Sequence, residues 1–148
     1  MTSFKYNDGG RAEAGYKGTT GDCVTRAVAI AAALPYKKVY DRLAEGNATQ
    51  RTTKNSSKSS GKKTARNGID TRRKWFKDYM KSLDFKWTPT MGIGTGCKVH
   101  LTANELPKGT LICSVSRHIT TVVDGVINDT YDCSRDGTRC VYGYWTKD

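Results

Sequence analysis

The dipeptide Asp124-Gly125 constrains the fold of this chain more tightly than any other short stretch, because it lies between two runs of β-branched residues. Asp-Gly in that setting is typical of a two-residue β-hairpin turn, and such a turn sets the register of both strands. In the resulting register Thr120 faces Asp129, so His118 lies diagonally from that carboxylate. Side chains alternate between the faces of a strand, and four are predicted to share one face: His118, Thr120, Asp129 and Tyr131. A bulge in the hairpin would instead bring Asn128 into the place of Asp129.

Helical periodicity predicts the first part of the chain. The stretch TGDCVTRAVAIAAAL places apolar residues three and four positions apart, which predicts a largely buried helix from Cys23 to Leu34. Asp22 supplies a side chain suited to capping this helix, and Pro35 ends it. A second helix is predicted for residues 36–44, closed by Gly46.

The periodicity changes after Leu83, from helical spacing to the alternation typical of strands. Before that point a third helix is predicted over 72–83, capped by Asp70 or Thr71, with its aromatic residues in the core. After it, besides the hairpin, three strands are predicted, over 85–88, 110–116 and 141–145. Helices followed by an antiparallel sheet are typical of the α+β class, and 148 residues suit a single domain that spans 1–148.

Positive charge is concentrated in one part of the chain, whose net charge is +11. Residues 51–81 hold eleven lysines and arginines against two aspartates. The overlapping stretch 47–68 contains almost no apolar side chain, so we expect a mobile loop there. Such a run is usually a solvated surface, but it would also attract a polyanion. The candidate residues for non-specific nucleic-acid contact are Lys54, Lys58, Lys62, Lys63, Arg66, Arg72 and Arg73.

The cysteines show no metal-binding spacing: there are five, none in a CxxC pair, and the chain has two histidines. We therefore expect neither a metal site nor a cofactor. The odd number of cysteines, with no recognisable signal sequence or membrane span, favours free thiols and a cytoplasmic protein without a membrane partner. A turn would allow one alternative, a Cys133–Cys140 disulfide, whereas Cys97 is predicted to be packed.

Cys23 lies in the first turn of a predicted helix, where the helix dipole and unpaired N–H groups favour a thiolate. A cysteine nucleophile also needs a base, and the chain offers His100 and His118. The hairpin register favours His118, with Asp129 to orient its ring, while His100 is expected to be structural. The competing interpretation is that Cys23 is a small buried residue, as free cysteines often are. The stretch MGIGTGCKVHL lacks the spacing of a phosphate-binding loop and is expected to form turns.

The order of these residues resembles the papain-like cysteine peptidases. A cysteine at the start of a buried N-terminal helix, followed by His and then Asn or Asp on antiparallel strands, is similar to the compact members of that fold. More narrowly, GDCVTRAVAIA, PTMGIGTGCKVHL and RHITTVVDGVINDTYDCSRDGTRCVYGYW resemble a group of small proteins encoded by tailed bacteriophages. The resemblance implies a viral protein of the host cytoplasm, with Cys23 as nucleophile, His118 as general base and acid, and Asp129 as the residue that orients the imidazole.

The chain departs from the papain-like pattern just before the cysteine. Papain-like enzymes usually carry a glutamine there, whose amide donates to the oxyanion, whereas residues 15–22 are GYKGTTGD. Lys17, Thr19 and Thr20 are the candidates to replace it, together with the backbone N–H of Cys23.

Two functions follow from the sequence as hypotheses. The first is a cysteine hydrolase, a peptidase or amidase with a Cys-His-Asp triad, acting on a peptide or protein. The second is a non-catalytic papain-fold module whose basic segment binds nucleic acid or an acidic host protein.

Overall fold

The computed structural model describes residues 3–16, 22–49, 69, 71–92 and 94–147. Within these ranges the elements follow in the order β1 (Ser3–Tyr6), α1 (Cys23–Ala32), α2 (Tyr36–Thr49), α3 (Lys74–Ser82), β2 (Phe85–Pro89), a 3₁₀ turn (Ala103–Glu105), β3 (Thr110–Val115), β4 (His118–Val123), β5 (Val126–Asp129) and β6 (Gly143–Lys147). Three helices with a sheet agree with the predicted α+β class. Among the helices that the structure describes, none has the length and apolar character needed to cross a lipid bilayer.

The described strands form one mixed sheet in the order β1-β5-β4-β3-β6-β2. β1 runs parallel to β5, and the other neighbouring pairs among these strands are antiparallel. The prediction of an antiparallel sheet is therefore wrong at one edge. The error arises because Ser3 pairs with Val126, near the other end of the chain, and no local pattern indicates such a pairing.

The β4–β5 hairpin has the predicted register. Thr121 pairs with Asn128, and the pairs toward the turn follow in step without a bulge in this described stretch. Both turn residues, Asp124 and Gly125, have positive φ, 48° and 81° respectively, as a type I′ turn requires. The register puts Asp129, and not Asn128, on the same face of the sheet as His118.

α1 packs against β4 and is tied to it by a buried hydrogen bond. The hydroxyl of Thr121 donates to the carbonyl of Ala27 at 2.8 Å. The helix ends before the predicted Leu34 because Ala33 adopts a left-handed φ of 54°, and its N–H bonds back into the last turn. Asp22 occupies the N-cap position, but its side chain makes no capping hydrogen bond, so that prediction is wrong. Its carboxylate binds other side chains instead.

α2 continues to Thr49, past the predicted end near Ala44. Gly46 does not close the helix but lies within it, where Trp75 packs against it. A Cβ on Gly46 would lie 2.3 Å from Cε3 of Trp75, a distance that atoms do not tolerate. The glycine therefore marks a close approach between α2 and the start of α3.

α3 begins at Lys74, slightly later than predicted, with Arg73 at its N-cap position. It buries Phe76, Tyr79 and Met80, in the predicted orientation. Its side chains belong to a cluster between the three helices and one face of the sheet, together with Val28, Val39, Leu43, Ile112 and Ile119. A second cluster covers the opposite face and includes Leu101, Leu111, Cys113, Val122, Ile127 and Val141. The sheet is therefore covered on both faces.

Cys97 and Cys140 form a disulfide. The prediction of free thiols is wrong for this pair, and so is the prediction that Cys97 is packed, because Cys97 is exposed. The disulfide spans a sequence separation of 43, and an isolated antiparallel bridge between His100 and Cys140 also brings the two segments together. The other cysteines, Cys23, Cys113 and Cys133, carry free thiols.

Candidate active site

The candidate site lies at the end of the sheet where α1 begins. Cys23 is the first residue of α1, His118 is the first of β4, and Asp129 is the last of β5. Because β4 and β5 are antiparallel, the start of one lies beside the end of the other. Cys23 is half-buried, and the side chain of His118 is 8% exposed. Both line a cleft that opens to the surface.

His118 and Asp129 form a close pair. The Nε2 atom of His118 lies 2.8 Å from Oδ2 of Asp129. The same oxygen accepts a hydrogen bond from the hydroxyl of Thr120 at 2.7 Å, and Oδ1 accepts one from the backbone N–H of Thr130 at 2.7 Å. The ring of Tyr131 packs against the imidazole, with 5.3 Å between ring centroids. The four side chains predicted to share one face of the hairpin therefore meet there.

The charges of this pair stabilise each other. Burial disfavours the imidazolium and by itself lowers the pKa of His118. The hydrogen bond with Asp129 outweighs burial, together with hydrogen bonds to two sulfur atoms, and the pKa of His118 rises to about 12. Burial likewise raises the pKa of the Asp129 carboxyl, but the hydrogen bonds from His118 and Thr120 prevail and lower it. The pair is therefore an imidazolium beside a carboxylate at neutral pH.

The thiol of Cys23 interacts with the same imidazole. Its hydrogen bond and its charge both raise the pKa of His118. Nε2 of the same ring lies next to Asp129. Cys23 and His118 thus line one cleft, and Asp129 contacts the imidazole.

A buried ion-pair network joins Asp129 to the start of α1, and sequence reasoning missed it. Arg26 forms salt bridges with the carboxylates of Asp22 and Asp129, the latter at 3.4 Å. Asp22 also accepts from Arg11, at 3.2 Å, and from the hydroxyl of Tyr36. Burial, followed by the hydrogen bond to Asp22, raises the pKa of Tyr36 above its ordinary value. The spacing of four residues between Asp22 and Arg26 is typical of an ion pair on a helix, so the sequence could have predicted that salt bridge. No sequence pattern indicates the salt bridge between Arg26 and Asp129.

A second thiol lies behind the pair. The sulfur of Cys133 lies 3.8 Å from Oδ2 of Asp129, and Cys133 is buried. Burial, and to a lesser degree the charge of Cys133, raises the pKa of the neighbouring Cys113 to about 12. One ligand atom each from His118, Asp129 and Cys133 lies within 4.8 Å of the others, so this group could hold a metal ion, although the sequence spacing shows no metal motif. A metal bound there would occupy the atoms that join His118 to Asp129.

The cleft in front of Cys23 and His118 has a volume of about 1030 Å³. Its lining combines apolar and basic residues. The apolar residues that line it include Val24, Ile69, Phe85, Trp87, Val115, Ile119, Tyr142 and Trp145. The basic residues that line it are Arg72, Lys77, Lys81, Lys86 and Arg117.

The other predicted site residues divide into those described and those not. Lys17, Thr19 and Thr20, the oxyanion candidates, lie outside the described residues, as do Lys54, Lys58, Lys62, Lys63 and Arg66 of the basic segment. Arg72 lines the cleft, and Arg73 is not among the described residues that do so. His100 has an acidic neighbour that the sequence analysis did not anticipate, because its Nδ1 lies 3.1 Å from Oε1 of Glu105. That exposed pair is not among the described residues that line the cleft.

Comparisons with protein-family models, with curated proteins and with solved structures find no match for this chain. Any function proposed for it therefore depends on the geometry and chemistry of the site itself.

Proposed function

We propose that this protein is a cysteine hydrolase that cleaves an amide bond in a peptide or protein substrate. The observation that supports this most directly is the distance of 2.8 Å between His118 Nε2 and Asp129 Oδ2, combined with the interaction of Cys23 with the same imidazole. A cysteine nucleophile requires a base and a group that orients the base, and His118 and Asp129 suit these two roles. Cys23 and His118 both line the cleft, through which a substrate would reach them.

The proposed reaction runs through a thioester. The Cys23 sulfur attacks the carbonyl carbon, and the resulting oxyanion accepts hydrogen bonds from N–H groups at the start of α1. As the C–N bond breaks, the His118 imidazolium donates its proton to the leaving amine. Water then attacks the thioester while His118 accepts its proton, and the Cys23 sulfur leaves. Asp129 keeps the imidazole oriented throughout.

We also propose that the fold is papain-like and that the protein belongs to the bacteriophage group that its sequence resembles, acting in the host cytoplasm. Two features support this proposal. The nucleophile candidate begins the first helix, and the histidine and aspartate follow on adjacent antiparallel strands. The Cys97–Cys140 disulfide does not favour the cytoplasm, where disulfides are rare.

Alkylation with iodoacetamide tests the proposed pairing of Cys23 with His118. At about pH 6 we expect the rate at Cys23 to fall about tenfold or more in His118→Ala, because the thiol loses the histidine with which it is proposed to pair. His100→Ala is the matched control, since it removes the other histidine of the chain and should leave the rate unchanged. Equal rates in His118→Ala and the unmodified protein would contradict the proposed role of His118.

A second candidate function is binding without catalysis, to nucleic acid or to an acidic host protein. It is favoured by the exposed cations Arg72, Lys77 and Lys81 on the α3 side of the cleft. In that case the intact protein should be retained on nucleic acid at about 50 mM salt, and deletion of 49–67 should abolish retention. An intact protein that is not retained at that salt would exclude the nucleic-acid form of this function.

A further inference from the structure

We propose that the cleft selects an acidic peptide, in which carboxylate side chains flank the bond that is cleaved and apolar side chains alternate with them. This inference rests on the proposed function, because it names the substrate class of the same site.

The first argument is the sign of the charge around the cleft. Its five basic residues come from different parts of the fold: Arg72 precedes α3, Lys77 and Lys81 lie on α3, Lys86 lies on β2, and Arg117 lies in the β3–β4 turn. Among the described residues that line the cleft, none is an aspartate or glutamate. A concave surface that is lined by charges of one sign attracts ligands of the opposite charge and raises their local concentration.

The second argument is that four of the cleft cations, Lys77, Lys81, Lys86 and Arg117, form no salt bridge with the described part of the protein. Lys77, Lys81 and Lys86 form no salt bridge with any described residue, and Lys81 lies on the last turn of α3. Lysines outside the cleft behave differently, because Lys74 pairs with Asp78 at 2.8 Å and Lys37 pairs with Asp41 at 2.7 Å. The lysines that line the cleft therefore remain available to a ligand.

Arg117 is the cleft cation nearest in sequence to the candidate catalytic residues. It directly precedes His118 and is held in the turn with a left-handed φ of 54°. It is exposed and, like the lysines, forms no salt bridge with the described residues. A carboxylate bound by Arg117 would therefore lie close to the amide that His118 protonates.

The third argument concerns the apolar residues that line the cleft. Phe85 and Trp145 are buried there, whereas Trp87 and Tyr142 remain 39% and 41% exposed. Trp87 packs on the backbone of Gly143, where a Cβ would lie 2.3 Å from its Cζ2. The indole is thus held in place at the sheet surface. Apolar lining residues accept apolar side chains and lining cations accept carboxylates, which together match a peptide of mixed acidic and apolar sequence.

Peptide is favoured over nucleic acid by the two candidate catalytic residues that line the cleft, Cys23 and His118. A cysteine nucleophile paired with a histidine acts on acyl carbons. A ligand that presents a carbonyl carbon makes use of these residues and of the cations, whereas a phosphodiester makes use of the cations alone.

Binding can be tested separately from catalysis with the full chain carrying Cys23→Ala. Fluorescence anisotropy would follow a labelled peptide of alternating glutamate and leucine, and an analogue with glutamine in place of glutamate. We expect the glutamate peptide to bind about tenfold more tightly or better, and its affinity to fall as salt is raised from about 50 to 500 mM.

Charge reversal identifies the surface responsible. Lys81→Glu with Lys86→Glu should weaken binding of the glutamate peptide about tenfold. Lys98→Glu with Lys108→Glu is the matched control, because both lysines are exposed and neither is among the described residues that line the cleft. Circular dichroism establishes that both double variants are folded.

Equal affinity for the glutamate and glutamine peptides, or equal loss in the two double variants, would overturn the inference. It would also be overturned if a single-stranded oligonucleotide displaced the peptide and bound more tightly, since the cleft would then be a nucleic-acid site. Binding as expected without hydrolysis by the unmodified protein would contradict the hydrolase while leaving the acidic-peptide site intact. Hydrolysis with no preference for acidic peptides would contradict the acidic-peptide site while leaving the hydrolase intact.

Discussion

Asp129 is the residue on which the hydrogen bonds of the site converge. Its carboxylate accepts from His118, Thr120 and the backbone N–H of Thr130, and it forms a salt bridge with Arg26. A buried carboxylate with this many donors stays charged, because each donor favours the ionised form. The imidazolium of His118 depends on that charge.

Asp129→Asn should lower the pKa of His118 by more than about one unit, because the amide can hold the ring but removes the opposite charge. The measurement is an NMR titration of the His118 imidazole in both proteins. An unchanged titration would show that the carboxylate does not stabilise the imidazolium.

Asp129→Asn should also change how the free energy of unfolding depends on pH. The pKa of Asp129 is lower in the folded protein, so its contribution is full above the unfolded pKa of about 3.8 and is lost as pH falls through the folded value. The pKa of His118 is raised, so its contribution is full below about 6.5 and is lost as pH rises toward about 12. Between about pH 4 and 6.5 both contributions are present, and there the unfolding free energies of the two proteins should differ most.

Arg26 is a positioning residue for the site, since it reaches both Asp22 and Asp129. Arg26→Met should lower the free energy of unfolding by about 3 kcal/mol, because two buried carboxylates lose a cation. Denaturant unfolding measures this. Arg135→Met, at an exposed arginine, should change the stability by less than about 0.5 kcal/mol. Similar losses in the two variants would argue against the network.

A role in positioning also predicts a change that stability alone does not explain. In Arg26→Met, under conditions where the protein is folded, the pH profile of Cys23 alkylation should shift, because Asp129 is less firmly held beside His118. An unshifted profile would limit Arg26 to a structural role.

At the scale of elements, the contact between α2 and α3 depends on a residue without a side chain. An alanine in the middle of a helix usually stabilises it relative to glycine, by about 0.5–1 kcal/mol. At Gly46 that gain is opposed by the ring of Trp75, which lies where the Cβ would be. The close packing of the two helices takes precedence over helix propensity at this position.

Gly46→Ala should therefore destabilise the protein by about 1–3 kcal/mol, as overpacking does. The sign should reverse in a Trp75→Ala background, where the added methyl group no longer meets the indole. A double-mutant cycle of unfolding free energies measures the coupling between the two positions. Additive effects would mean that the helices move apart without cost.

At the scale of the whole molecule, the Cys97–Cys140 disulfide joins the segment after β2 to the segment before β6. In the chain-entropy account a loop of this length contributes about 4 kcal/mol to stability. The bond closes a part of the fold that is held by the isolated bridge at His100 and Cys140 and not by a long ladder.

Protein purified without reductant and then unfolded should show three titratable thiols, and five after reduction, since Cys23, Cys113 and Cys133 are free. Peptide mapping should recover Cys97 linked to Cys140. Reduction should lower the unfolding free energy, and Cys97→Ser with Cys140→Ser should reproduce that loss. Five titratable thiols before reduction would contradict the disulfide and agree with a reducing cellular compartment.

The amino-acid sequence by itself determined the features that depend on neighbours along the chain. The Asp124-Gly125 turn sets the hairpin register, and with it the approach of His118 to Asp129, because a two-residue turn and the alternation of strands leave one arrangement. The buried faces of the helices followed from apolar spacing in the same way. Their ends were less predictable, since α2 continues to Thr49 past Gly46, the residue expected to close it.

Only the tertiary structure decided the contacts between distant segments. The parallel pairing of β1, the Cys97–Cys140 disulfide, the link from Arg26 to Asp129 and the basic lining of the cleft all join residues far apart in the chain. Such contacts depend on which elements pack together, and local propensity carries no information about that choice. The proposed chemistry draws on both levels, because the hairpin supplies His118 and Asp129, and packing of α1 against β4 brings Cys23 to them.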